Sequence, residues 1–542
     1  MHISKIKIQN FKRFKGIFSL DLNKGTNILV GNNEAGKSTI LEAIHLGLTG
    51  FLNGRPLKSE LTQYLFNKEI EAEYIAGLTS EKAQPPPAIS IELFIGGEDS
   101  PVLAELEGNG NSDKTDEIGV SFKIEFDETY QKEYSELLNA GNIKSLPIEY
   151  YKVSWKSFAR NSITAKSVPL KSALIDSSSA RVQNGSDLYI SRIIRENLDD
   201  KERVEISQAH RQMRESFMEA PSVKAINKKI NSSAAISDKE VKISVDMATQ
   251  NAWEMSLMTY LDNIPFHFIG KGEQSVVKTS LALSHKKSQE ASLLLIEEPE
   301  NHLSHTRLNE LIKRILGSNN EKQIIVSTHS SFVANKLGLD SLIFLNDSKS
   351  TRLNELSSET KTFFLKLAGY DTLRMILCKK AILVEGDSDE LLVQKAYLNK
   401  KGKLPIEDGV DVISVGTSFL RFLEIAEKIN KPIAVVTDND GNLDALNKKY
   451  DGYLGKNKKS NIDIYFDNAI DTGEMKDFNY NTLEPKLLKE NNRELLNKVL
   501  GTSYSTDNLL LKHMKEKKAL CALKIFDTTE DIKIPEYISN AI

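Results

Sequence analysis

Apolar and polar positions change rhythm several times along this chain, and each change marks a different kind of element. Residues 3–8 (Ile-Ser-Lys-Ile-Lys-Ile) alternate with a period of two, residues 10–14 turn, and residues 18–22 alternate again, which predicts two strands. Residues 28–30, Ile-Leu-Val, are continuously apolar, as a strand covered on both faces requires. They feed a glycine-rich loop and a predicted helix over 37–48. Strand patterns recur at 89–95, 120–126 and 149–153, with a stiff Pro85-Pro86-Pro87 turn and a polar loop at 108–116 between them. From about 172 to 246 the chain becomes charged and polar with helical spacing, which predicts a helical insertion. Strand patterns return at 265–269, 293–296, 323–327 and 341–345, and residues 346–378 read as a connector. After it, runs at 381–384, 409–414, 433–437 and 462–466 alternate with helices, which implies a mainly parallel sheet with helices on both faces.

Composition narrows this picture. A length of 542 residues accommodates roughly two to four domains. The net charge is only −4, so any nucleic-acid surface must be a local patch. Lys456, Lys458 and Lys459, and the lysines between 512 and 518, are candidates to track a phosphate backbone, although charge runs are more often solvated faces. The two cysteines, Cys378 and Cys521, have no CxxC spacing, which excludes a cysteine zinc cluster and fits a reducing cytosol. The alternating start is not a signal peptide, and no apolar run approaches a membrane span, so a cytoplasmic protein without a membrane partner is expected.

Two sets of residues carry phosphate chemistry. The first is Gly31-Asn32-Asn33-Glu34-Ala35-Gly36-Lys37-Ser38, followed by Thr39, between an apolar strand and a helix. Such a loop turns backbone N–H groups toward the phosphates of ATP, with Lys37 reaching the β/γ-phosphates and the Ser38 hydroxyl reaching Mg²⁺. Residues 293–296, Leu-Leu-Leu-Ile, then end in Glu297 and Glu298, where one carboxylate can hold Mg²⁺ through water and the second can polarise the attacking water. Residues 270–275, Gly-Lys-Gly-Glu-Gln-Ser, form a glycine-rich turn before a helix, and residues 324–330 are a strand ending near His329. The second set is Glu385-Gly386-Asp387-Ser388-Asp389 behind one apolar strand and Asp438-Asn439-Asp440 behind another. Carboxylates at neighbouring parallel strand ends converge at the carboxyl edge of the sheet, and hard oxygen ligands suit Mg²⁺ or Mn²⁺.

The first set resembles the ABC-type ATPases of the SMC and RecF kind. That resemblance implies ATP sandwiched in a head-to-head dimer, with residues 270–275 and Gly272 supplied in trans as the signature, Glu298 as catalytic glutamate and His329 as switch histidine. Two departures are visible: Glu297 stands where the acidic strand usually has Asp, and the signature reads Gly-Lys-Gly-Glu-Gln rather than Ser-Gly-Gly, both of which point to slow hydrolysis. The second set resembles a Toprim domain. An ABC-type ATPase followed by Toprim is similar to the OLD (overcoming lysogenization defect) family of nucleases, whose members include the larger Gabija subunit and retron-associated effectors. This implies an α/β fold with ATPase parts at 1–171 and 247–345, a dimerising helical insertion at 172–246, a connector at 346–378 and a Toprim nuclease domain at 379–542. It further implies Glu385, Asp389, Asp438, Asp440 and Glu484 as metal ligands, Glu484 standing in Asn481-Thr482-Leu483-Glu484-Pro485, and Lys518, with Lys517 as its competitor, as the active-site lysine. Ser388 and the residues 414–418 lie near these acids, as helix caps or phosphate contacts.

The resulting expectation is an ATP-binding, Mg²⁺- or Mn²⁺-dependent DNA endonuclease or nickase in antiphage defence. It would be a homodimer or higher homo-oligomer acting on double-stranded DNA, with a separately encoded helicase or retron component as a further partner. The competing reading is an ATP-gated DNA clamp or repair factor with a structural Toprim domain. So many like charges kept together without a cation argue against it. A topoisomerase needs a nucleophilic tyrosine on a DNA-gripping domain, and the roughly 165 residues after Cys378 leave no room for one.

Overall fold

A computed structural model describes residues 1–52, 55–78, 85–97, 101–139, 141, 143–176, 182–183, 186–187, 198–233, 259–284, 291–301, 303–317, 322–346, 349–353, 356–367 and 371–542. The chain forms two units, residues 1–27 with 38–328, and residues 28–37 with 329–542.

In the first unit, His2–Gln9 lies between Ile17–Asp21 and Ile89–Gly96, with Glu117–Phe126 and Tyr151–Ser157 continuing the antiparallel sheet. The period-two pattern that predicted these strands buries Ile3, Ile6 and Ile8 completely. Helix Lys37–Thr49 lies close to this sheet. A Cβ on Gly47 would come 2.7 Å from Leu93 Cδ1, so the helix approaches the sheet only because that position has no side chain. Three parallel strands, Ser172–Asp176, Leu293–Glu297 and Gln323–Ser327, pair in register. The buried Gln323 side chain joins the two systems: its amide accepts from Ile3 N–H at 2.8 Å and donates to the carbonyls of Ile3 and Asn23, each at 2.8 Å.

Several expectations need correction here. Residues 172–176, read as the start of the helical insertion, form a strand, because Ala-Leu-Ile at its centre pairs with the apolar Leu293–Glu297. Helices Asp200–Glu219 and Pro221–Ser233 do occupy the middle of that stretch, the first closed by an Asp199–Glu202 capping box. Its remaining parts, 177–181, 184–185, 188–197 and 234–246, lie outside the described residues. At 265–269 the expected strand shortens to Ile264–Pro265, because Pro265 cannot donate to a ladder and a 3-10 turn, Phe266–Phe268, follows it.

In the second unit, the strand Thr26–Gly31 pairs in parallel with Leu342–Asn346 from Ile28 onward, and Lys349–Arg352 adds antiparallel to the latter. The connector is thus structured, and it continues as helices Ser358–Lys366 and Thr372–Leu377. A four-stranded, all-parallel sheet follows in the order Val410–Ser414, Lys380–Val384, Ile433–Val436, Ile462–Tyr465. The two central strands, Lys380–Val384 and Ile433–Val436, are almost wholly apolar and buried, as strands covered on both faces are, whereas the flanking strands carry Asp411 and Asp463. The core of this sheet includes Ile382, Val384, Leu392, Val393, Val436, Leu487, Leu496, Met514 and Ile538. Among the described residues no helix is long and apolar enough to cross a membrane.

Leu496, on helix Arg493–Leu500, is fully buried in this core. Leu496→Ala is expected to destabilise the unit by about 2–5 kcal/mol, read as a lowered midpoint for the transition that tryptophan-independent far-UV signal reports in urea.

Candidate active site

The phosphate loop follows from its glycines. Strand Thr26–Gly31 ends where a Cβ on Gly31 would lie 2.7 Å from the Leu345 carbonyl and 2.8 Å from Ala35 Cβ, so only glycine fits between strand and loop. The loop then turns through left-handed backbone at Glu34 (φ 65°) and Gly36 (φ 96°). Lys37 is buried, and its ammonium donates to the carbonyls of Gly31 at 3.0 Å and Asn32 at 3.2 Å, which curls the side chain over its own loop. Asn32, Asn33 and Ser38 are exposed and Thr39 is buried. Backbone N–H groups at a helix start beside an ammonium make an anion cradle.

In the other unit, strand Leu293–Glu297 places four buried apolar residues before Glu297. Glu298 takes a left-handed turn (φ 40°), its N–H donates to the Ser327 carbonyl at 2.9 Å, and its carboxylate accepts from Asn301 Nδ2 at 2.7 Å. A non-glycine residue in that conformation is strained, and the acidic end is held by the neighbouring strand. Thr328 Oγ1 donates to Glu300 Oε1 at 2.7 Å. Gly272, expected in a turn, lies in the first turn of helix Lys271–Ser284, which begins directly after Gly270. His329 is exposed.

The acids of the parallel sheet gather at its carboxyl edge. Glu385 directly follows Lys380–Val384, Asp389 sits in the first turn of helix Asp387–Lys401, and Asp438 follows Ile433–Val436 by two residues. Glu484 is buried in the first turn of helix Leu483–Glu490. Each carboxylate is met by a local donor. Thr437 Oγ1 donates to Glu385 Oε1 at 2.9 Å. Gly386 N–H donates to Asp389 Oδ2 at 3.1 Å. Leu483 N–H donates to Asp438 Oδ2 at 3.2 Å and the Tyr537 hydroxyl to Oδ1 at 3.3 Å. Lys518 Nζ lies 3.2 Å from Glu484 Oε1.

Burial, then the negative charges of Glu385 and Glu484, push the Asp389 carboxyl up to about 6 against the opposing pull of the Gly386 N–H and Lys518. Burial and the surrounding acids Asp389, Glu385 and Glu484 hold Asp438 well above the usual carboxylate range. For Lys518, burial disfavours the charged form, but the Glu484 carboxylate outweighs it and raises the ammonium above its ordinary value. The site therefore holds more negative charge than its own lysine offsets.

Among the described residues, no group of three or more His, Cys, Asp or Glu side chains is arranged to ligate one ion. Asp389, Glu385 and Glu484 all act electrostatically on Asp438, and each of the four acids also has a hydrogen-bond or ion-pair partner. Asp440, with left-handed backbone (φ 48°), lies exposed at the rim and accepts from Asn479 Nδ2 at 3.0 Å. Ser38 belongs to the phosphate loop and is not among them. The donor set is nonetheless the chemistry of a hard divalent cation: buried, mutually repelling oxygens beside a single ammonium.

Of the competing lysines, Lys518 reaches Glu484, while Lys517 stands between helices Asp507–Glu516 and Lys518–Asp527. The Ser414 hydroxyl donates to the Glu385 carbonyl at 3.2 Å. Lys458 and Lys459 form exposed ion pairs with Asp463 and Glu427, each at 2.8 Å. Sequence reasoning missed Thr437, the Leu483 N–H and Tyr537. The adjacency of Thr437 to Asp438 was a usable signal; the other two depend on chain segments far away.

The loop over residues 467–482 is held by Lys486. This buried ammonium pairs with Asp467 and, at 2.7 Å, with Asp471, and donates to the Ala469 carbonyl at 3.0 Å. Asn439 Nδ2 adds a bond to the same carbonyl at 2.9 Å.

Two family models match the chain. One, described as "AAA domain, putative AbiEii toxin, Type IV TA system", matches residues 26–335, and the other, described as "Overcoming lysogenization defect protein-like, TOPRIM domain", matches residues 376–440. The DNA replication and repair protein RecF of Vibrio campbellii is 35% identical over 114 residues, which are 20% of this chain and 30% of that protein. The chain therefore spans under a third of the RecF relatives it matches. The endonuclease GajA of Bacillus cereus is 22% identical over 501 residues, covering 85% of this chain and 79% of that protein. Among solved structures, an SMC head domain from Thermotoga maritima aligns at 16% identity with a TM-score of 0.29, over 66% of this chain and 100% of that one.

Lys486→Met leaves Asp467 and Asp471 without their cation. Because both acids keep some contact with water, the expected cost is about 2–4 kcal/mol, below that of a fully orphaned pair, with faster amide exchange confined to 467–482. Burial raises the Asp471 carboxyl, but Lys486 and Lys489 outweigh it and depress it below 3.8. Its contribution is thus complete above pH 3.8 and is lost as pH falls through the lower folded value, which the same exchange measurement in an acid series checks.

Proposed function

We propose that this chain, which belongs to the AAA-domain family matched over residues 26–335 and carries an OLD-like Toprim domain, is an ATP-binding, divalent-metal-dependent DNA endonuclease or nickase of antiphage defence. The observation that carries this reading is the cluster of four mutually interacting carboxyl groups, Glu385, Asp389, Asp438 and Glu484, beside Lys518 at the carboxyl edge of a parallel sheet. The similarity to an endonuclease over 85% of the chain supports it.

Those four acids, with Asp440 at the rim, would hold Mg²⁺ or Mn²⁺. A bound divalent ion supplies Lewis-acid polarisation of a phosphoryl oxygen and a water of lowered pKa. The chain's own residues do the rest. Thr437, Gly386, Leu483 and Tyr537 fix the directions of the acids. Lys518, half exposed and charged, stands where it can meet the negative charge that develops on a phosphodiester under attack. In the ATPase part, Lys37, Ser38, Asn32, Asn33, Gly36 and Thr39 bind the phosphates, Glu297 supports the nucleotide's Mg²⁺, Glu298 orients the attacking water and His329 senses the γ-phosphate. Gly272, at the start of its helix, offers backbone N–H groups to the γ-phosphate of a second copy, with the insertion at 172–246 as dimerising element. Double-stranded DNA is the substrate, and a separately encoded helicase or retron component is the partner in a cytoplasmic defence system.

Supercoiled plasmid incubated with the purified chain and Mg²⁺ or Mn²⁺, with and without ATP, tests this. Cleavage is expected to vanish in Asp438→Ala and to fall about 100-fold in Lys518→Ala, with Lys37→Ala removing the response to ATP. Cleavage undiminished in Asp438→Ala would overturn the nuclease assignment. Intact plasmid under every condition, with ATP binding preserved, would favour the DNA clamp instead.

A further inference from the structure

Asp438 has both carboxylate oxygens engaged, one by the backbone of helix Leu483–Glu490 and one by a side chain 99 residues away, the hydroxyl of Tyr537. Tyr537 is buried in the core of the unit on the short helix Glu536–Ser539. The segment around it is pinned by three lysines from the elements that carry the acids. Lys395, on the Asp389 helix, donates to the carbonyls of Phe526 at 3.0 Å and Thr528 at 2.6 Å. Lys400, on the same helix, donates to those of Ser539 at 2.9 Å and Ile542 at 3.3 Å. Lys380, at the start of the strand leading to Glu385, donates to Ala541 at 2.7 Å. Ile532, Ile538 and Ala541 pack into the core beneath. The position of the tyrosine hydroxyl is therefore referenced to the same strand and helix that set Glu385 and Asp389.

We propose that Tyr537 is a positioning residue for the metal site, its hydroxyl fixing, together with the Leu483 N–H, the direction of the Asp438 carboxylate. This rests on the reading of those acids as a cation site. A buried tyrosine hydroxyl requires an acceptor in any case, so the plain alternative is that Asp438 merely satisfies Tyr537. The two differ in what removal of the hydroxyl does. If Asp438 only serves the tyrosine, Tyr537→Phe changes stability and nothing else. If the hydroxyl orients Asp438, the same variant weakens ion binding. Partners of this kind typically contribute 10–100-fold in metal affinity, and a 3.3 Å bond, long for O–H···O, places the expectation at the low end.

The test is Mn²⁺ binding to the nucleotide-free full chain, followed by electron paramagnetic resonance of the free ion, for wild type, Tyr537→Phe and, as baseline, Asp438→Ala, alongside plasmid cleavage. The expected result is an affinity about 10-fold weaker in Tyr537→Phe, a lower kcat with the DNA KM unchanged, and a circular dichroism spectrum like that of wild type. Mn²⁺ affinity within twofold of wild type would overturn the proposal, and with cleavage still lost in Asp438→Ala the nuclease reading would survive it. Tyrosine-dependent Mn²⁺ binding without cleavage by any form would uphold Tyr537 and sink the nuclease reading. No Mn²⁺ binding by wild type above the Asp438→Ala baseline would overturn both. Should Tyr537→Phe fail to fold, Lys400→Met, which loosens the segment without touching the ring, decides by the same criterion: weaker Mn²⁺ binding upholds the proposal and unchanged binding overturns it.

Discussion

Repulsion among four carboxylates at one end of a parallel sheet is the constraint around which the C-terminal half of this protein is built. Burial, and then the charges of their acidic neighbours, raise the proton affinity of Asp389 and Asp438. Left to themselves such groups would swing into water or take up protons. Here each is tethered by a donor, in all but one case from a distant part of the chain: a threonine hydroxyl, a glycine N–H, a helix-start N–H with a tyrosine, a lysine. The tethers are individually modest, on the order of 1–3 kcal/mol for bonds to charged groups, but they act on groups that have few other places to go. The arrangement is an electrostatic deficit waiting for positive charge, and the only ammonium among its own partners, Lys518, is too little to balance it.

The same economy of tethers governs the ATPase residues. Lys37 folds back on the carbonyls of its own loop, and Glu298 is fixed by one backbone bond to the next strand and one side-chain bond to Asn301. In both places the chain accepts left-handed backbone at a non-glycine residue, Glu34 and Glu298, directly beside the chemistry. Such conformations persist only where surrounding bonds impose them, and at Glu298 one of those bonds comes from the neighbouring strand Gln323–Ser327.

Local pattern explains what could be read from the chain in advance. The period-two and continuous apolar runs identified the strands of both sheets because burial on one or two faces leaves a direct imprint on residue order. Glu385 and Asp438 were legible because each stands at the end of such a run, whereas Glu484 came only from the family resemblance. The phosphate loop was legible because Gly31 has backbone on one side and Ala35 on the other. Errors arose where a short segment's partner lies far off. Residues 172–176 read as part of a polar arm until paired with Leu293–Glu297, and Pro265 cut short a strand that hydrophobicity alone would have extended. The ion pairs of Lys458 and Lys459 were not legible either, because their partners, Asp463 and Glu427, face them only in the fold. Tyr537 could not have been found at all, since nothing around it in sequence refers to Asp438.

The side chain of Gln323 ties Ile3 and Asn23 into the parallel strands across 320 residues. Seen as an event in time, that bond orders the birth of the unit. The strand at its front is synthesised early, yet its last hydrogen bonds must wait for residue 323, roughly 15–60 s later at typical translation rates. The strand itself is already paired on both sides by residue 96, so what waits is only the N–H and carbonyl of Ile3 and the carbonyl of Asn23. The late bond is therefore a latch that closes over a sheet already formed, at the loop-closure cost of a long separation.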